Sequence, residues 1–261
     1  MPKLDLDLID LKRVNSLSEE ERRDLVSRLS HLKLLTPAHA NSKTAKNDAK
    51  KYFSYILHLS PADLSGFNFC PQASAGCRAA CLNTAGRGRF SSIQRARLRK
   101  SLYFVLFRKE FLRHLSKEIE RAYSKATKAR KKCVVRLNGT SDLAFETMGV
   151  MDSRSLIDLF PKVQFYDYTK IFARLRRTRP VNYSLTYSMS ESNSESALAA
   201  LGLGVNVAVV FNQIPSEYLG VEVLDGDSTD LRFNDKGRGV FIGLKAKGKA
   251  KQDTSGFVKQ V

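Results

Sequence analysis

Tryptophan is absent, and only seven prolines, four cysteines and four histidines occur in 261 residues. Four cysteines in so long a chain do not make the dense disulfide framework of a small secreted domain. No apolar run approaches the ~20 residues of a membrane-spanning helix. Residues 1–10 alternate Leu and Asp and lack the basic-then-apolar order of a secretory signal. Together these shortages predict a cytoplasmic protein without a membrane partner. The histidines (His31, His39, His58, His114) are scattered, so neither a Ser/His/Asp nor a Cys/His triad is suggested. No phosphate-binding P-loop pattern is present.

Hydrophobic residues make up 43% of the chain and aromatics 9%, enough for a core and too much for general disorder. Charge is the dominant global feature. Forty-four Lys and Arg against 26 Asp and Glu give +18, with an isoelectric point near 9.9. A field of that sign attracts polyanions, so nucleic acid or a nucleotide is the expected partner. The plainer alternative is a well-solvated basic surface.

Residues 17–34 read as an amphipathic helix, with Ser18 and Glu21 spaced as a capping box. Residues 36–51 read as a basic linker. Residues 1–51 are therefore expected to form a helical appendage, and 52–261 the main domain. There, aromatic and β-branched runs predict strands at 52–59, 133–138, 163–168, 183–188, 205–211, 221–224 and 239–245. Helical patterns lie between them, at 90–131, 151–160, 171–177 and 194–201. The alternation predicts an α/β fold with about six mainly parallel strands. A partial or closed (β/α) barrel fits this count best, and an open doubly wound sheet is the competitor. In both, chemistry gathers at the carboxyl ends of the strands, and here the polar segments follow the strands.

Three cysteines in the loop after the first strand carry the sharpest signal. Cys70, Cys77 and Cys81 are spaced C-x6-C-x3-C among Gly, Ala and Asn. Thiolates are soft ligands that favour zinc, iron–sulfur clusters or copper. A structural zinc needs a fourth ligand, for which His58 and Cys133 are the candidates. Three cysteines alone suit a [4Fe–4S] cluster with one open iron. The bland reading is three inert buried thiols. Arg87, Arg89, Arg95, Arg97, Arg99 and Lys100 crowd the following stretch and are candidate phosphate contacts. Asp142, Glu146 and Lys170, after the next two strands, are candidate acid–base residues, or merely salt-bridged side chains. Asp225, Asp227, Asp230 and Asp235 are a candidate Mg²⁺ group, although an acidic turn explains them as well. Arg174, Arg176, Arg177 and Arg179, and Lys245, Lys247, Lys249 and Lys251, are charge runs, read as solvated faces or phosphate contacts.

The run Cys70-Pro71 to Gly76-Cys77, then CLNTAGRG from Cys81, RLNGTSD at 136–142 and FYDYTK at 165–170, resembles a family of phage proteins, the gene-product-88-like family. The resemblance runs from about Tyr52 to the C-terminus and implies a phage or mobile-element origin, hence the host cytoplasm. More distantly, the order strand, three-cysteine loop, helix and successive βα units resembles the radical SAM enzymes. Their usual cysteine spacing is C-x3-C-x2-C. That likeness implies a [4Fe–4S] cluster on Cys70, Cys77 and Cys81, with S-adenosylmethionine at its open iron. Asn138, Gly139, Thr140 and Ser141 would then meet the methionine amino group, and Ser188, Ser190 and Glu191 the ribose. The expected function is an iron–sulfur enzyme acting on a nucleotide or nucleic acid. The rival is a non-catalytic nucleic-acid-binding protein with a structural zinc or iron–sulfur site.

Overall fold

The computed structural model describes residues 17–37 and 51–261. The remainder of the expected basic linker, residues 38–50, lies outside the described residues. The first helix, α1 (Glu19–Leu29), starts at the capping box formed by Ser18 and Glu21 and buries Leu25 and Leu29. A short strand, β1 (Leu35–Pro37), pairs antiparallel with β2 (Tyr52–Leu57). The backbone N–H groups of Leu34 and Leu35 donate to the Glu118 carboxylate at 2.9 and 2.8 Å. Leu25, Leu29, Leu34 and Leu35 belong to the same apolar core as the strands that follow.

After the cysteine loop and its short helix α2 (Ala75–Ala79) come α3 (Ser91–Leu106) and α4 (Arg108–Lys128), broken from one another at Phe107. Then follow β3 (Lys132–Arg136), the hairpin β4 (Gly149–Met151) and β5 (Arg154–Ser155), and α5 (Leu156–Leu159). The chain continues through β6 (Gln164–Thr169), β7 (Tyr183–Ser188), α6 (Ser194–Gly202), β8 (Val207–Phe211), β9 (Glu217–Tyr218) and β10 (Val221–Asp225). It ends with β11 (Phe241–Lys245) and β12 (Val258–Lys259).

The main sheet runs β1-β2-β3-β6-β7-β8-β11-β10-β9. From β2 to β10 every neighbouring pair is parallel. Strands β2, β3, β6, β7 and β8 are added in chain order on one side. Right-handed connections then put the intervening helices on one face of the sheet. That face is apolar: Phe104, Phe111, Leu115 and Ile119 of the helices pack with Val135, Phe165 and Val209 of the strands. Each such side chain contributes about 1.5–3 kcal/mol on burial. The opposite face is covered at one end by the segment after β10, where Leu231 and Phe233 pack on Tyr52, Val134 and Tyr166.

The expectation of a closed barrel needs correction. The sheet is open, and among the described residues β1 and β9 form its two free ends. Seven consecutive strands are parallel rather than about six, and the order reverses at the end, with β11 inserted between β8 and β10. Strand β7 pairs with β8 only at Val207 and Ala208, while β12 pairs with β8 at Val210 and Phe211. Since β11 occupies the other edge of β8, β7 and β8 part and β12 fills the gap. The expected helix at 151–160 is also wrong over its first half. Asp152 and Ser153 adopt positive φ (48° and 61°) and turn the chain into the β4–β5 hairpin. Helix is confined to α5, where Ser155 and Asp158 form a capping box. The expected helix at 171–177 shrinks to a single 3-10 turn, Phe172–Arg174. No helix among the described residues is long and apolar enough to cross a membrane.

Candidate functional site

The cysteine loop is tied down by groups distant in sequence. Ser74 caps α2 by accepting from the Cys77 N–H. Its hydroxyl donates to Glu191 at 2.8 Å, and the Gly76 N–H donates to the same carboxylate at 2.7 Å. A side chain at Gly76 would run into Glu191 and Phe257, so close approach requires glycine there. The Asp142 N–H donates to the Phe69 carbonyl at 2.8 Å, joining the loop to the segment after β3.

Held in this way, Cys70, Cys77 and Cys81 line one cavity of about 210 Å³ at the carboxyl ends of the strands. Thr140, Ser141, Asp142, Lys170 and Ser188 line its polar side, and Ala80, Val210, Leu244 and Phe257 its apolar side. Two of the three sulfurs accept backbone N–H groups: Cys70 from Ala62 at 3.3 Å and Cys81 from Asn83 at 3.5 Å. Burial pushes the Cys70 thiol up to about 12, and the nearby Cys81, Cys77 and Asp142 push the same way. Burial raises Cys77 as well, against the pull of Lys170, and raises Cys81, against Arg97. Such thiols ionise only against a strong cationic charge, which a bound metal supplies. Sulfurs that accept N–H groups are also what iron–sulfur ligation uses. Three thiols on one cavity wall are the donor type that a thiolate-bound cluster takes. Among the described residues no three His, Cys, Asp or Glu side chains converge closely enough for a single metal ion. The two candidates for a fourth zinc ligand lie elsewhere. Cys133 is buried in the helix-side core, and His58 lines the neighbouring cavity, where burial and Arg97 hold it neutral.

That neighbouring cavity, of about 680 Å³, shares Leu82, Arg136, Gly139, Thr140, Asp227 and Lys247 with the first. Arg87, Arg97, Lys100 and Lys251 complete its basic lining. A family model described as Gene product 88 matches residues 32–261. The chain belongs to the gene product 88 family. No curated protein and no solved structure matches it. The match supports a phage protein; the likeness to radical SAM enzymes receives no support from it.

In this gene product 88 chain the two expected acid–base carboxylates are held by one guanidinium. Arg174 donates to Glu146 at 2.8 Å through both Nε and Nη2, and to Asp142 at 2.7 Å through Nη1. Asp142 faces the cysteine cavity but also accepts the Lys170 N–H at 2.8 Å. Burial nonetheless raises its carboxyl, with Arg174 opposing. Glu146 does not line the cavity. The Lys170 ammonium donates to the Ser188 hydroxyl at 2.8 Å and to the Ser188 and Met189 carbonyls at 3.2 Å. Burial lowers its pKa. With these donors engaged, Lys170 holds the end of β7 against β6.

Of the segment 138–141, Gly139, Thr140 and Ser141 line the cysteine cavity. Asn138 lies behind them, donating to Asp167 and Leu143 and accepting from Ser141 and Leu143. Ser188 lines the cavity, Ser190 is buried in a turn whose N–H donates to Asn193, and Glu191 is the clamp on α2. From the basic stretch, Arg87, Arg97 and Lys100 line the second cavity, whereas Arg89, Arg95 and Arg99 do not. The acidic residues after β10 are dispersed among cations. Asp230 pairs with Arg136, Asp235 with Arg232 and Asp227 with Lys247.

Three important residues escape a reading of the sequence. Arg136 interrupts an otherwise apolar strand, which is a usable signal of a buried functional charge. Arg174 sits in a charge run that reads as solvated, yet its side chain is only 1% exposed. Lys247 reads as one of four alternating lysines and carries no distinguishing local signal.

Proposed function

We propose that this family member is an iron–sulfur protein, with a [4Fe–4S] cluster held by Cys70, Cys77 and Cys81 beside a basic cavity for a nucleotide or nucleic-acid substrate. The observation that carries the reading is that one loop presents three thiols to a single cavity, two of them accepting N–H groups. A three-cysteine cluster supplies one-electron chemistry and an iron open to a small-molecule ligand. The chain's own residues shape the space around it. Asp142, oriented by Arg174, and Ser188, oriented by Lys170, are among the polar groups facing the cavity. Phe257 and Leu244 form an apolar wall on the other side. The finer reading, S-adenosylmethionine at the open iron, rests on the order of the strand, cysteine loop and helix and on the NGTSD segment at 138–142.

Purification without oxygen, with iron and sulfide analysis and a visible spectrum, tests the cluster. A brown protein with about four irons and matching sulfide, bleached by Cys70→Ala, is expected. A colourless protein with about one zinc would turn the reading to a structural metal in a nucleic-acid-binding protein. Incubation of the loaded protein with S-adenosylmethionine and dithionite tests the finer reading. No 5′-deoxyadenosine from a fully loaded cluster would end the radical proposal.

A further inference from the structure

The basic cavity draws its cations from separate parts of the chain. Arg87 comes from the 3-10 turn Gly86–Arg89, Arg97 and Lys100 from α3, Arg136 from the end of β3, and Lys251 from the 3-10 turn Gly248–Gln252. Asp227 is the one carboxylate in the lining, and Lys247 holds it at 2.5 Å. Arg97 and Arg136 are 9% and 7% exposed, and the Nε of each, buried at the cavity, has no hydrogen-bond partner. Arg136 has Asp230 as a counter-charge, but the side-chain partner of Arg97 is the neutral Asn83. Burial also draws Lys100 down to about 8, against the pull of Glu118. Arg97 is thus a buried cation with no carboxylate beside it among the described residues, which is costly, and a bound anion offsets that cost.

The volume, about 680 Å³, lies within the ~300–1,000 Å³ of small-molecule sites. Nucleic acid is gripped on an open face that buries ~1,000–2,500 Å². The cavity joins the thiol-lined one through Arg136, Gly139, Thr140 and Leu82, and the latter offers an apolar wall to an organic group.

We propose that the basic cavity binds the phosphates of a small molecule of nucleotide size, whose organic part reaches the cysteine cavity. This rests on the reading of the cysteine cavity as the reaction centre, and it narrows the substrate from nucleic acid to a free nucleotide. Calorimetric titration of the full chain, as purified, with ADP, inorganic pyrophosphate and single-stranded DNA tests it.

Expected are one ADP and one pyrophosphate per chain. Arg87→Ala and Lys251→Ala, both exposed at the rim, should each weaken ADP about tenfold, the loss of one charge-assisted hydrogen bond. Arg97→Ala should weaken it at least as much, provided its circular dichroism matches the parent. Binding of DNA with none of ADP overturns the proposal, as does ADP affinity indifferent to all three substitutions. The visible spectrum of the same sample reads the cluster separately. A brown protein that ignores ADP sinks the phosphate site alone, and a colourless one that binds it sinks the cluster alone.

Discussion

The two faces of the sheet are built to different rules. On the helix-covered face, Cys133, Val135 and Leu137 are followed across the sheet by Phe165, Tyr183 and Val209, and packing is mostly apolar. On the other face the same strands carry Val134 and then Arg136, Tyr166 and then Tyr168. Buried Asp230 and Arg232 descend onto them from the segment after β10. Replacing buried ion pairs by apolar groups of similar volume is often neutral or stabilising, so stability does not explain the second face. Both cavities border it, and Arg136 lines each of them. The comparison teaches that the helix face holds the fold and the charged face arranges the site.

Substitutions on the two faces should therefore fail differently. The largest effect is expected for Phe165→Ala on the helix face, where the side chain is fully buried. It should cost about 3–5 kcal/mol in urea unfolding, and any protein that folds should keep its full iron content. A lowered iron content in a folded sample would erase the distinction. Arg174→Met leaves Asp142 and Glu146 buried without their cation, at about 3–5 kcal/mol. Unlike Phe165→Ala, it should also cost cluster occupancy, because Asp142 anchors the cysteine loop through its backbone. Full occupancy in that variant would show that the carboxylate pair does not organise the site.

A smaller effect has a definite sign with pH. Burial pushes the Asp167 carboxyl up to about 6, against Arg136, Arg174 and the Asn138 N–H. The unfolded value is ~3.9, so the folded state holds this proton more tightly. Its contribution to stability is present below pH ~4 and lost as pH rises through 6, on the order of 2–3 kcal/mol. Asp167→Asn should flatten that decline when urea midpoints are measured across the window. Asp235, also pushed up to about 6 by burial, keeps its own share. An unchanged slope in the variant would place the decline elsewhere.

Why the strands were readable and the charge pairs were not follows from range. Aromatic and β-branched residues favour a strand whatever its neighbours, so 183–188 was located to the residue and 163–168 to within one. The cysteine loop was legible because three thiols among small residues have few other uses. The hairpin at 149–155 was missed because Asp152 and Ser153 take left-handed conformations that their identities do not announce. The pairing of Arg136 with Asp230 spans 94 residues, and that of Arg174 with Glu146 spans 28. No local pattern carries such a contact, so Glu146 stood open between an acid–base role and a salt bridge, and Arg174 between a solvated face and a phosphate contact.

The smallest expected effect separates the outer surface from the cavity within one basic stretch. Arg89 and Arg95 are exposed and line neither cavity, while Arg97, two residues on, is buried in the second. The double substitution Arg89→Ala with Arg95→Ala should leave stability within ~0.5 kcal/mol. It should also leave ADP affinity unchanged, since charge at the surface is screened over ~10 Å at moderate salt. The same variant interrogates the rival surface. Were a polynucleotide to lie along the outside of α3, each lost phosphate contact would lower the slope of log affinity against log salt by ~0.7 for a single strand. A slope reduced by both contacts, with ADP binding intact, would give the outer face a nucleic-acid role of its own beside the enclosed site.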